Sequence, residues 1–117
     1  MQTISIILRK PPYGTVDAPE AIRHALGAVT EELPVQLILV DGGIQAARKG
    51  QDTGVTGYLS AEEGIRDCVD LGAQVYVDGS SLEAEGVAAS DLIDGITVVK
   101  TADIAAVMMA SGTTMIF

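Results

Sequence analysis

Short apolar runs alternate along the chain with longer stretches in which apolar residues recur every three or four positions. Thr3–Leu8 turns continuously apolar after Ser5 and reads as a buried first strand. Arg9–Val16 breaks it with Pro11, Pro12 and Gly14. Asp17 is placed to cap a helix, Pro19 suits its first turn, and Glu20 favours its positive end. Ile22, Leu26 and Val29, with Ala25 and Ala28 beside them, predict an amphipathic helix over 18–31. Pro34 marks its exit, and Val35–Val40 (VQLILV) reads as a second buried strand.

Asp41, Gly42 and Gly43 follow that strand. A short helix is expected over 44–49, stopped by Gly50, with a glycine-rich loop over 51–58. Ser60 and Glu63 form a capping-box pattern before a helix that runs to about Leu71, with Gly72 as its stop. Val75, Tyr76 and Val77 predict the third strand. Asp78 and Gly79 punctuate it, and Ser80 or Ser81 is expected to cap the next helix, with Glu83 in its first turn. Ala88–Gly95 reads as a connection and Ile96–Val99 as a fourth strand. Thr101 is expected to cap a helix over 102–110, and Thr113–Phe117 to form a fifth strand.

This alternation predicts a single α/β domain over residues 1–117, with a parallel sheet sandwiched between helices. In open α/β sheets ligands gather outside the carboxyl ends of the strands. Asp41, Asp78, Ser80 and Ser81 fall there.

Composition adds two constraints. The 117 residues are 48% hydrophobic and 20% charged, with mean hydropathy +0.35. That is apolar for a small monomer and implies apolar surface buried between subunits. The net charge of −9 gives an acidic field that repels phosphate backbones, so nucleic-acid binding is not expected. The first eight residues lack the length and charge of a signal peptide, and no apolar run approaches the ~20 residues of a membrane helix. The expectation is a cytoplasmic protein without a membrane partner.

Candidate chemistry is sparse. The loop after the first strand has one glycine, Gly14, and fits neither a Walker A nor a GxGxxG pattern, so it reads as a stiff turn that positions Tyr13. Arg9, Lys10, Asp41, Asp78 and Lys100 form a loose polar set at strand ends. A phospho-acceptor receiver needs an acidic pair where Arg9 and Lys10 stand. Asp41 and Asp78 can cap turns through their side chains, or hold a hard cation such as Mg²⁺. Cys68, the lone cysteine, sits mid-helix between Asp67 and Asp70, which raise a thiol pKa; it reads as a buried structural residue. His24 has no histidine or cysteine partner nearby. Ser80 and Ser81 lack a GxSxG elbow and read as caps. No motif asks for a cofactor or a metal.

Taken together, Pro12-Tyr13-Gly14, Asp41, Arg48-Lys49-Gly50-Gln51, Gly57-Tyr58 and Leu92-Ile93-Asp94-Gly95, in this order, resemble the DsrE/DsrF-like family and, within it, the YchN-like proteins. The resemblance implies a three-layer α/β/α fold with a five-stranded, mainly parallel sheet, and homo-oligomers, trimeric or hexameric. It also implies a role in sulfur relay, in which a cysteine after the third strand carries a persulfide and passes sulfur to a relay partner. By spacing from Gly86 and Leu92–Gly95, that cysteine falls on Asp78, and a second one found in some relatives on Ser81. Neither can hold a persulfide, and Cys68 lies upstream. The reading is a family member without the carrier cysteine, non-catalytic or dependent on a partner. The alternative is an oligomeric module that binds a small ligand or a protein through Tyr13, Gly14, Asp41, Asp78, Ser80 and Ser81, with no covalent chemistry.

Overall fold

The computed structural model describes residues 2–56 and 58–117; Gly57, part of the Gly57-Tyr58 motif, lies outside the described residues. Five strands appear in chain order: β1 (Ile4–Leu8), β2 (Val35–Leu39), β3 (Gln74–Asp78), β4 (Thr97–Val99) and β5 (Thr113–Ile116). Four α-helices alternate with them: α1 (Asp17–Thr30), α2 (Ala61–Asp70), α3 (Gly79–Ala84) and α4 (Thr101–Met109). All neighbouring strands pair in parallel, in the order β4-β3-β2-β1-β5. The expected α/β sandwich is therefore present, and the sheet is parallel throughout.

The strand order fixes the layers. From β1 to β4 the chain steps in one direction across the sheet, and right-handed crossovers place α1, α2 and α3 on one face. The step from β4 back to β5 reverses direction, so α4 lands on the opposite face. The core clusters follow this division. Ile6, Leu8, Leu37, Leu39, Val75 and Val77 point toward α1, α2 and α3. Ile7 and Ile38 point toward Ile104 of α4.

Between β2 and α2 the structure differs from the expected short helix. A 3₁₀ helix starts at the strand end and spans Asp41–Ala47. Its path crosses the end of β1 so closely that a Cβ on Gly43 would lie 2.1 Å from the Leu8 carbonyl oxygen. Only glycine fits there, and the tight crossing explains why helical geometry begins three residues early.

Helix starts also differ in detail. Val16, not Asp17, occupies the cap position of α1, and the Thr15 hydroxyl accepts the Asp17 N–H. Ser60 caps α2 as its pattern predicts, accepting the Glu63 N–H at 3.3 Å. Asp78, rather than Ser80 or Ser81, caps α3. Lys100 rather than Thr101 sits at the cap position of α4, which frees the Thr101 hydroxyl for another partner. Among the described residues no helix is long and apolar enough to cross a membrane.

Candidate functional site

Adjacent strands β3 and β4 send their chains to opposite faces, into α3 and α4. In open α/β sheets, ligands gather where such connections diverge at the carboxyl edge. Asp78, the last residue of β3, stands at this point and is 7% exposed. One carboxylate oxygen accepts the Ser81 hydroxyl at 2.6 Å and the Ser81 N–H at 3.2 Å. The other accepts the Thr101 hydroxyl at 2.5 Å, and that hydroxyl also lies 2.8 Å from the Ser80 oxygen. Ser81 Oγ in turn accepts the Asp41 N–H at 2.9 Å. One carboxylate thus ties together β3, α3, the start of α4 and the 3₁₀ helix.

The electrostatics follow from this geometry. Burial is the largest single influence on Asp78 and pushes its pKa up. The Ser81 and Thr101 hydroxyls and the N–H groups of Ser81 and Ser80 outweigh it, and the carboxyl sits below its ordinary value. Asp78 is therefore ionised at neutral pH, with its lone pairs engaged inside the protein.

Four of the six candidate residues gather here: Asp78, Ser80, Ser81 and Asp41. Asp41 contributes its backbone N–H, from a left-handed conformation (φ 49°), while its side chain is exposed. Tyr13 belongs to a second set. Its hydroxyl donates to Gln51 Oε1 at 2.5 Å and accepts the Ala61 N–H at 3.3 Å, and its ring lies 5.8 Å from that of Tyr58. Gly14 is exposed, and its φ of 97° makes it the turn beside Tyr13. No hydrogen bond among the described residues joins the two sets.

Sequence reasoning missed Gln51 as a hub. Its side-chain N–H group reaches the Ala46 and Arg48 carbonyls, both at 2.9 Å, and its backbone N–H reaches Glu62 at 2.9 Å. Its place in the Arg48-Lys49-Gly50-Gln51 motif was the available signal. Cys68 is fully buried in the core under α2. Burial first, then the Asp67 charge, pushes its thiol up to about 11. No three metal-ligating side chains gather among the described residues. A separate groove of about 470 Å³ between α1 and α2, lined by Pro19, Ile22, Leu26, Leu59 and Gly64 among others, includes none of the six candidates.

A three-layer α/β/α protein with a polar cluster at the strand ends is the class that fold and site define. Residues 2–117 match the DsrE/DsrF-like family, and the chain belongs to that family. It is 32% identical over 114 residues to an uncharacterized protein of Methanocaldococcus jannaschii, covering 97% of each chain. It is 34% identical over 87 residues to the intracellular sulfur oxidation protein DsrF of Allochromatium vinosum, covering 74% of this chain and 64% of that one. The fold matches the crystal structure of the ychN protein of E. coli with a TM-score of 0.92, at 21% identity and full coverage of both chains.

Proposed function

We propose that this protein is a sulfur-relay family member that does not itself carry sulfur, and that it works by binding at its strand-end site. The observation that carries this reading is the state of Asp78. The resemblance puts the carrier cysteine at this position, and here a carboxylate stands there with hydrogen bonds to both oxygens. A carboxylate cannot form a persulfide. Ser81, at the second position, is 6% exposed and spends its hydroxyl on Asp78. Cys68 offers no substitute: a nucleophilic thiol must be exposed and partly ionised, and this one is sealed in the core with a raised pKa. What remains on the surface of the site is Ser80, the Asp41 side chain and the start of α4, a polar rim suited to a small polar ligand or to the surface of a relay partner.

The test is intact mass after incubation with a polysulfide donor, with and without reductant. The folded protein is expected to keep its unmodified mass. A reducible gain of one sulfur that disappears in Cys68→Ser overturns the reading and makes Cys68 a carrier.

A further inference from the structure

The groove between α1 and α2 is lined in step by both helices. Pro19, Ile22, Arg23 and Leu26 face it from α1; Ser60, which caps α2, faces it with Glu63, Gly64 and Asp67. Each set falls at i, i+3, i+4 and i+7, so the groove follows about 10 Å, or two turns, of each helix. Its floor is apolar. Gly64 lets the helices come so close that a Cβ on it would lie 2.7 Å from Ile22 Cγ2. Leu26 and Leu59 extend the apolar wall, and Leu59 is 84% exposed. The apolar surface continues along the chain past the cavity. Tyr58, next to Leu59, is 52% exposed, and Val16, shortly before Pro19, is 73% exposed. The rim is acidic. Arg23 is bonded to Glu20 within α1. Glu63 and Asp67, exposed one turn apart on α2, have no ion-pair partner among the described residues.

We propose that this groove docks a basic amphipathic helix of a different protein. Its apolar stripe lies against Ile22, Leu26 and Leu59, and its lysines or arginines face Glu63 and Asp67. A third helix laid along two others buries a face of the same spacing that lines the groove. Charge selects the basic one. An uncharged or acidic segment covers two carboxylates without supplying a partner, whereas a basic segment pairs them. The apolar surface that continues to Tyr58 and Val16 favours a segment of chain over a small organic cation, which would leave those side chains exposed. A second copy of this chain has no such helix to offer. The arginines of its own helices, Arg23 and Arg66, are each bonded to a glutamate of the same helix, and α3 and α4 carry no basic residue. The groove is separate from the Asp78 cluster, so the proposal stands whatever that cluster binds.

The experiment titrates the full chain into a fluorescein-labelled Leu-Lys peptide with leucines at helical spacing, read by anisotropy. Saturable binding is expected, weakening as salt rises. The double variant Glu63→Lys, Asp67→Lys is expected to weaken it by about tenfold or more. Leu59→Ser is expected to weaken it as well. The control pair Glu83→Lys, Glu85→Lys makes the same change in net charge away from the groove and is expected to bind as the wild-type protein does. All five positions are exposed, and circular dichroism shows whether each variant keeps its fold. The same peptide with glutamate in place of lysine is expected not to bind. Absence of saturable binding overturns the proposal, and so does equal binding of the glutamate peptide. A control pair that weakens binding as much as the groove pair reduces the attraction to net charge and overturns it too. Displacement of the peptide by phenethylammonium at equal concentration makes the groove a small-ligand site instead. A change of the protein's own mass in light scattering on Leu59→Ser means that a second copy already fills the groove, and likewise overturns the proposal.

Discussion

The two faces of this sheet are built from the same five strands and end in different states. On one face, α1, α2 and α3 bring 14, 10 and 6 residues over the strands. On the other, α4 brings 9. A helix with its side chains is about 10–12 Å across, while five strands span about 19 Å. One such helix cannot roof that width. The sequence of the sheet reflects this. The well-covered face shows Ile6, Leu8, Leu37, Leu39, Val75 and Val77, all within 2% of full burial. At its amino end the other face carries a polar row in register across four strands: Thr114, Ser5, Gln36 and Gln74. Ser5 donates to Gln36 within it at 3.1 Å. The thinly covered face thus runs from polar at one end, through apolar Ile7, Ile38 and Ile116, to the Asp78 cluster at the other. Most of the buried core lies on one face, and the most exposed apolar side chain of the sheet, Ile116, lies on the other.

The sharpest way to break this comparison is to truncate one side chain on each face. Leu37→Ala removes a fully buried side chain surrounded by the main core. It is expected to cost near the upper end of the about 2–5 kcal/mol typical of such changes. Ile104→Ala empties a site in a cluster of three buried residues that borders solvent. Its neighbours can relax, so its cost should fall near the lower end of that range. Chemical denaturation of both variants checks this, and equal costs would refute the asymmetry.

The Asp78 cluster joins the two faces and gives the next effect. Thr101→Val removes one hydrogen bond to a buried carboxylate, worth about 1.5–3 kcal/mol. The pH dependence has a definite sign. The folded-state carboxyl lies below its unfolded value, which is about 3.9. The unfolded chain therefore takes up the proton first as pH falls. The contribution of Asp78 is full above about pH 5 and drains as pH drops through the unfolded and then the folded value. Urea midpoints measured from pH 7 to pH 3 should fall less steeply in Asp78→Asn than in the wild-type protein. Parallel curves would mean that Asp78 is not held as described.

The difference between faces was only partly legible in the sequence. Buried parallel strands read as continuous apolar runs, and β1, β2 and β3 were visible for that reason. The capping box at Ser60 was visible because its geometry is local. The 3₁₀ helix from Asp41 was not, because its start depends on how closely Gly43 can approach Leu8, a contact 35 residues away in sequence. Asp78 was picked out as a turn residue, but its bond to Thr101 spans 23 residues and needed β4 beside β3. The thin cover over one face was legible only as excess hydropathy, since a periodic pattern does not say how far a helix reaches across a sheet.

A smaller effect sits at the rim of the well-covered face. Tyr13→Phe keeps the ring packed against the core and deletes the hydroxyl that bridges Gln51 and Ala61. The cost should be about 1 kcal/mol, the ordinary net worth of a partly exposed hydrogen-bond pair. It should be local. Amide exchange is expected to speed up in 51–61, where Tyr13 and Gln51 hold the loop, and to stay unchanged in β1–β3. Uniform acceleration would mean that the clasp belongs to the core rather than to the loop.

The last prediction is of no effect at all, and it tests how well the covered face is sealed. Cys68 has no exposed surface and a thiol pKa of about 11. At neutral pH only about one thiol in 10⁴ would be ionised even if reagent could reach it. Iodoacetamide should therefore leave the native protein unlabelled over hours and label it promptly in denaturant. Where labelling does occur in native buffer, its rate should follow the opening of α2 from the sheet and rise in step with urea, as it does for groups released only by large-scale unfolding. The same measurement on Leu37→Ala should show faster labelling in proportion to its lost stability. Labelling that ignores both urea and Leu37→Ala would mean that α2 lifts away on its own, and that the face taken here as sealed opens as readily as its opposite.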